Sequence, residues 1–191
     1  MTARWVVDEV APQRDLNLIW QPISLMFKNE PEPGSDYHTG TMVGHRMLRV
    51  MEAVRAEHGD AAVFDWYWQC GTRLHHDRQR DADLADLLDQ VGLDRTLADA
   101  ADDEAWDDEI RRRMDRGLEL VGDDVGTPII AFRNAEGTKR GIFGPVITRV
   151  PDTEQSLRMW DALQTFTTMD GFWEIKRTRT ERPDFGSRPE V

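Results

Sequence analysis

This 191-residue sequence has few cysteines, few lysines and no long apolar run, and each shortage excludes a class of protein. The single cysteine, Cys70, excludes an intramolecular disulfide and a cysteine-rich zinc site within the chain. Only three of the 24 cationic residues are lysines and the net charge is −12, which argues against binding to nucleic-acid phosphates. No apolar run approaches the roughly 20 residues of a membrane-spanning helix, and no signal-peptide pattern opens the sequence. We therefore expect a cytoplasmic protein with neither nucleic-acid nor membrane partners.

Candidate reactive or metal-binding groups are correspondingly scarce. Cys70 lies in the aromatic stretch WYWQCG of a predicted helix, which is typical of a small buried apolar side chain; the alternative is a reactive thiol. The acidic run DDEAWDDE at 102–109 is typical of a solvated helix start, because negative charge suits the first turn. Adjacent residues on a helix point in different directions, so His75, His76 and Asp77 do not form a metal site. The sequence predicts no bound metal.

Hydrophobic periodicity divides the chain into elements. Helical spacing over 1–12 predicts an opening helix, and alternation of Leu16, Leu18 and Trp20 predicts a strand over 16–21. The Pro/Gly-containing stretch 28–36 predicts a loop. Helical patterns then dominate from residue 38 to about 120, with separate helices at 38–58, 61–76 and 83–91 and a further one from about 110. Two strands at 129–132 and 141–146, joined by a turn at 134–137, precede a final helix at 153–168.

The opening helix lacks a convincing beginning. No Ser, Thr, Asp or Asn precedes its first turn except Thr2, and no apolar strand leads into it. A frayed terminal helix is one explanation. The other is that a strand and the start of the helix are encoded upstream of Met1.

The order of elements favours the second explanation. One additional strand in front would give β-α-β, a helical insertion and then β-β-α, which is a thioredoxin fold interrupted by helices. The fold class is therefore α/β, a thioredoxin fold with a helical insertion domain and with its first strand missing from this chain. The expected domains are 1–36 and 122–180 for the two parts of the thioredoxin-like domain, 37–121 for the insertion, and 181–191 for a disordered tail.

Thr127 and Pro128 come directly before the predicted strand at 129–132. A cis X-Pro bond at such a point turns the backbone and exposes the polar groups of the preceding residue to an extended thiol substrate. The dipeptide alone does not distinguish this arrangement from a plain turn, so the surrounding sequence has to decide.

That context resembles the DsbA-like proteins of actinobacteria, and in particular the mycothiol-dependent nitroreductase family. The resemblance is carried by VGDDVGTPIIAF, GIFGPV, LRMWDALQTF and FWEIKRTRTERP in the second half of the chain, and by ARWVVDEV, the W-x-P-I-S-L, K-N-E and G-x-R-L-H patterns and Tyr37 in the first half. It covers residues 2–185. It implies a cytoplasmic, often dimeric thioredoxin-fold protein that uses mycothiol, or a similar small thiol, as a cosubstrate without binding a cofactor tightly.

The resemblance also implies a reactive C-P-W-C motif at the start of the first helix, where the helix dipole and free N–H groups lower the thiol pKa. No such motif occurs in this chain, so we expect it upstream of Met1 and expect the chain as written to be inactive. The implied substrate-binding residues are Thr127, Pro128, Asn29, Tyr37 and His75. Each of the last three has a structural alternative: a loop turn for Asn29, a helix start for Tyr37, and an ordinary helix histidine for His75.

Three functions follow from these observations. The first is a DsbA-family thiol-disulfide oxidoreductase that passes electrons from a small thiol to a disulfide or nitroaromatic acceptor. The second is a non-catalytic thioredoxin-like binding protein. The third is a thiol-dependent isomerase of the hydroxychromene-carboxylate type, which would need Ser or Cys at the same missing helix start.

Overall fold

The computed structural model describes residues 1–134 and 136–189, which are mostly helical with one small sheet, a mixed α/β structure. The chain forms two compact units. The first contains Met1–Leu18 and Arg116–Gly186, and the second contains Ile19–Asp115 and residues 187–189. These divisions fall at 18/19 and 115/116, whereas the sequence placed its boundaries at 36/37 and 121/122. Ala135 of the predicted turn and the last two residues of the predicted tail lie outside the described residues.

The helices and strands agree with the sequence pattern over most of the chain. The α-helices are Thr2–Arg4 (α1), Leu25–Asn29 (α2), Asp36–His58 (α3), Asp60–His75 (α4), Leu84–Gln90 (α5), Asp107–Leu118 (α6) and Thr153–Thr168 (α7). A π-helical turn, Trp5–Val10, and a 3-10 turn, Ala11–Gln13, continue α1, and further 3-10 turns occupy Arg95–Asp102 and Glu104–Trp106. The strands are Ile129–Arg133 (β1) and Lys139–Phe143 (β2). Among the described helices, none is long and apolar enough to cross a membrane.

The core of the first unit is built on two tryptophans. Trp5 and Trp160 are buried with ring centroids 5.8 Å apart, and Phe132 of β1 meets Trp160 edge-on at 5.1 Å. Val6 and Val10 are buried in the same cluster. The opening helical run and α7 therefore both bury apolar side chains with the hairpin, which gives the hairpin the hydrophobic support that an isolated two-stranded sheet lacks.

The hairpin itself is antiparallel, with Ile129 paired to Phe143 and Arg133 to Lys139. Its second strand ends at Phe143 and does not continue to residue 146 as predicted, since Pro145 has no N–H to donate to a ladder. Strand β2 passes very close to the segment after α6. A Cβ placed on Gly141 would lie 2.8 Å from the Cβ of Leu120, so only glycine fits there without a shift.

The strand predicted over 16–21 is wrong. Within residues 1–134 and 136–189 the one sheet contains only β1 and β2, and segment 16–21 pairs with neither of them. Its alternating pattern has another cause. Leu16 and Leu18 pack against the core of the first unit, whereas Trp20 packs in the second unit, where its ring stacks on Tyr67 at 4.9 Å.

The second unit is a helical cluster around α3 and α4. Its core contains apolar side chains from both helices and from α5, including Val50, Val54, Trp66 and Leu88. Asp83 accepts hydrogen bonds from the first amides of α5, which explains why that helix begins at Leu84. The predicted loop at 28–36 is wrong at its start, because α2 extends to Asn29; Ser24 caps this short helix by accepting from the amide of Phe27.

A buried ion network links helices of the second unit. Glu52, with 1% of its side chain exposed, forms ion pairs from Oε2 to Arg55 Nε at 3.0 Å and to Arg113 Nε at 2.9 Å. Arg55 also binds Asp60 and the carbonyl of Trp20. The two guanidinium groups thus compensate the burial of a carboxylate that would otherwise be costly to remove from water.

Candidate functional site

Thr127 and Pro128 lie at one end of the hairpin, in the first unit. The Thr127–Pro128 peptide bond is cis, and so is the Gly144–Pro145 bond at the end of β2. The amide of Gly144 donates to the carbonyl of Pro128 at 2.8 Å, so the two proline segments are joined just beyond the Ile129–Phe143 pair. Thr127 itself is exposed, which leaves its side chain accessible at this end of the sheet.

The start of the opening helix lies at the same end of the hairpin. The Thr2 hydroxyl donates to the carbonyl of Pro145 at 2.7 Å, and Thr2 is buried. Two hydrogen bonds, from Thr2 to Pro145 and from Gly144 to Pro128, therefore connect the first helical turn with the Thr127–Pro128 segment. The N-terminal end of a helix carries the positive end of the helix dipole, which stabilises a thiolate placed there.

Asn29 and Tyr37 form a pair in the second unit. Asn29 is the last residue of α2, and Tyr37 lies in the first turn of α3. The Asn29 side-chain amide donates to the Tyr37 hydroxyl, and half of Tyr37 (51%) is exposed. The structural alternatives therefore resolve differently: Asn29 does not belong to a loop turn, whereas Tyr37 does begin a helix. The pair presents a phenol and an amide to solvent, groups that bind polar substrates.

His75 is on a different element from this pair. It is the last residue of α4, and burial lowers its pKa below the ordinary value. A lowered pKa favours the neutral imidazole at physiological pH, which accepts as well as donates a hydrogen bond. Its assignment to the site stays a prediction.

Cys70 is unsuited to thiol chemistry. It is buried in the middle of α4, and burial raises the pKa of its thiol far above the ordinary value. A thiol of that kind carries almost no thiolate at neutral pH and therefore does not attack a disulfide or a nitro compound. The interpretation of Cys70 as a small buried apolar side chain fits this environment.

Sequence reasoning missed one polar centre, in which buried His45 contacts Ser24 and Asp107. Ser24 and Asp107 lie 21 and 62 positions from His45 along the chain, so no local spacing could have revealed the cluster. The acidic run at 102–109 supplies Asp107 to it. Hydrogen bonds from Arg49 hold the pKa of Asp107 below its usual value even though burial acts to raise it. Across the described residues, no three His, Cys, Asp or Glu side chains are placed to hold a metal ion.

Comparison with known families agrees with the resemblance found in the sequence. The model of the Rv2466c-like family, described as "Mycothiol-dependent nitroreductase Rv2466c", matches residues 1–177. The match includes the opening helix, every predicted site residue and α7. The family predicted from the sequence is thereby confirmed: this chain belongs to the Rv2466c-like mycothiol-dependent nitroreductases.

Proposed function

We propose that this chain is the thiol- and acceptor-binding part of a mycothiol-dependent oxidoreductase with a DsbA-like thioredoxin fold and a helical insertion. One observation carries the proposal: the start of the opening helix lies at the cis-proline end of the hairpin, through the Thr2–Pro145 hydrogen bond. Family membership supports the thiol cosubstrate and the reaction class. The homodimer expected of the family stays a prediction.

We propose that the reactive thiolate is supplied from outside residues 1–191, because Cys70 is buried and burial raises the pKa of its thiol. We propose that a C-P-W-C motif precedes Met1 and places a cysteine at the front of the opening helix, where the dipole lowers its pKa. The thiolate attacks a disulfide acceptor, and a second thiol releases the product. With a nitroaromatic acceptor, two thiols lose two electrons and two protons while the nitro group becomes nitroso and releases one water.

The binding residues have separate roles in this proposal. Thr127 and Pro128 offer backbone and hydroxyl groups to the thiol at the end of the hairpin. Asn29 and Tyr37 bind polar groups of mycothiol or of the acceptor, and neutral His75 assists as a hydrogen-bonding group. The exposure of Thr127 and Tyr37 supports these assignments, since a substrate must reach both side chains.

The test begins with the reading frame upstream of Met1. A hydrophobic strand ending in C-P-W-C supports the oxidoreductase; C-P-W-S or S-P-x-x favours the isomerase; an in-frame stop codon favours the non-catalytic binding protein. The extended protein is then assayed with mycothiol, its disulfide reductase, NADPH and a nitroaromatic dye. We expect turnover by the extended protein and none by residues 1–191 alone, and inactivity of an extended C-P-W-C protein would refute the proposal.

Variants of the pair test the binding role in the extended protein. Asn29→Ala and Tyr37→Phe each remove a hydrogen-bonding group, so we expect KM to rise about fivefold to tenfold, the effect of losing one such bond of about 1 kcal/mol or slightly more, with kcat little changed. Tyr67→Phe is the matched control, because Tyr67 is the second of the two tyrosines and stacks on Trp20. Equal effects at positions 37 and 67 would contradict the assignment.

A further inference from the structure

We propose that His45 is a positioning residue that fixes the short helix α2 to α3 and thereby holds Asn29 against Tyr37. The inference rests on the proposed function, in which Asn29 and Tyr37 contact the ligand. It is carried by a chain of directed hydrogen bonds within the second unit.

The direction of these bonds fixes the tautomer of His45. Its side chain is 2% exposed, with Nδ1 lying 3.0 Å from Ser24 Oγ and Nε2 lying 3.1 Å from Asp107 Oδ1. An ionised carboxylate only accepts hydrogen bonds, so Nε2 carries the proton and donates to Asp107. The unprotonated Nδ1 then accepts from the Ser24 hydroxyl. Both ring nitrogens are therefore satisfied when the imidazole is neutral.

One end of this series of hydrogen bonds lies at the N-terminus of α2. Ser24 Oγ accepts from the amide of Phe27 at 3.3 Å while its proton goes to His45. The Phe27 ring packs edge-on against the His45 ring at 4.5 Å and lies 3.4 Å from the Arg111 guanidinium carbon. A helix of five residues is not stable alone, so such outside contacts decide whether α2 forms.

The other end of this series of hydrogen bonds lies at Arg49 of α3. Arg49 donates from Nε and Nη2 to the two carboxylate oxygens of Asp107 at 2.7 and 2.8 Å, and from Nη1 to the carbonyl of Ala101 at 3.2 Å. Arg49 follows His45 by one turn of the same 23-residue helix. This bidentate pair keeps Asp107 ionised and oriented toward the imidazole.

Helix α2 is thus bound to α3 at both of its ends. Ser24 meets His45 before its first residue, and Asn29 meets Tyr37 at its last residue. With the Ser24 contact removed, α2 would keep the packing of Phe27 on His45 and Arg111 and the bond from Asn29 to the exposed Tyr37, but would lose its N-terminal bond to α3. We infer that the buried contact at His45 sets the position of the exposed pair.

Two amide variants, each of which retains a polar atom near one ring nitrogen only, separate positioning from a general structural role. His45→Asn keeps a polar atom near the Nδ1 position, where it can still accept from Ser24, whereas His45→Gln keeps one near Nε2 and loses Ser24. Amide hydrogen exchange is measured over residues 25–30, with α4 as the internal reference, and the affinity of the chain for mycothiol disulfide is measured by calorimetry. Ser24→Ala provides a second route to the same loss if His45→Gln does not fold.

We expect exchange over 25–30 to rise about fivefold in His45→Gln and Ser24→Ala, the factor that corresponds to loss of a typical N-cap. Exchange in α4 should stay constant, mycothiol disulfide should bind correspondingly more weakly, and His45→Asn should remain within twofold of the parent. Unchanged exchange over 25–30, or an equal rise in α4, overturns the inference. If exchange in α2 becomes faster while the affinity for mycothiol disulfide is unchanged, His45 does position α2, but Asn29 and Tyr37 are refuted as ligand contacts.

Discussion

Glu52 offers a strong test of the energetics of the second unit. The substitution Glu52→Gln is nearly isosteric, so it removes one negative charge without opening a cavity. The parent carboxylate is 1% exposed and pairs with both Arg55 and Arg113. Removing one partner of a buried ion pair costs about 3–5 kcal/mol, because the remaining charge stays buried without compensation.

The surrounding contacts place the expected loss near the lower end of that range. Arg55 keeps Asp60 and the Trp20 carbonyl, and Arg113 keeps Glu109 at 2.7 Å. We therefore expect the free energy of unfolding to fall by about 3 kcal/mol. For a chain of this length, each kcal/mol corresponds to about 2–4 °C, so Tm should fall by about 6–12 °C.

Urea unfolding followed by circular dichroism measures this change, with Glu109→Gln as the matched control. Glu109 pairs with the same Arg113 and with Arg112, but its side chain is 30% exposed. Its loss should cost no more than about 1 kcal/mol, as for other exposed ion pairs. If Glu52→Gln lowers the free energy of unfolding no more than Glu109→Gln does, the argument that burial determines the contribution of this network to stability is refuted.

Three further predictions concern His45, Cys70 and Gly141. Burial lowers the pKa of His45 below its ordinary 6.5 although the Asp107 carboxylate opposes this, so the folded state binds fewer protons than the unfolded state. Its contribution to the free energy of unfolding is complete above pH 6.5 and is lost as the pH falls below that value. Urea unfolding from pH 8 to 5 should therefore show a steeper loss of unfolding free energy in the parent than in His45→Asn. The thiol of Cys70 should resist an aromatic disulfide reagent in the folded protein and react at once in denaturant, and fast reaction without denaturant would contradict its burial. Gly141→Ala should cost about 1–3 kcal/mol in thermal unfolding because its Cβ meets Leu120, whereas Gly44→Ala, in open space on α3, should be neutral or stabilising.

Local sequence patterns correctly predicted the elements whose apolar side chains recur at regular intervals. Helices α3, α4, α5 and α7 and the hairpin were found to within a few residues, because their apolar side chains recur at helical or strand spacing. The family was recognised from short motifs spread over the whole chain, and the family match confirms it. The Asn29–Tyr37 pair lies among the predicted site residues, although no spacing indicated that the two side chains would share a hydrogen bond.

Long-range contacts account for what the sequence did not reveal. Helix α2 exists through Ser24, His45 and Asp107, which belong to three distant parts of the chain. The alternation at 16–21 looked like a strand because Leu16, Leu18 and Trp20 are each partly buried, yet a strand also requires a neighbour to receive its hydrogen bonds. Periodicity indicates which side chains are buried, but it does not show whether a neighbouring strand is present to form hydrogen bonds with the backbone.

The wide turn at Trp5–Val10 has a consequence for how this part of the chain tolerates changes in length. In an α-helix, residues five positions apart point about 140° away from each other, so Trp5 and Val10 would not share a face. The π-helical bond from the amide of Ala11 to the carbonyl of Val6 brings side chains at this separation onto one side, and both are fully buried with Trp160. Deleting one residue between them would leave the two side chains four positions apart, a separation that a regular α-helix also places on one face. This turn should therefore tolerate the loss of one residue better than the insertion of one, which would leave Trp5 and Val10 six positions apart and about 120° away from each other in an α-helix.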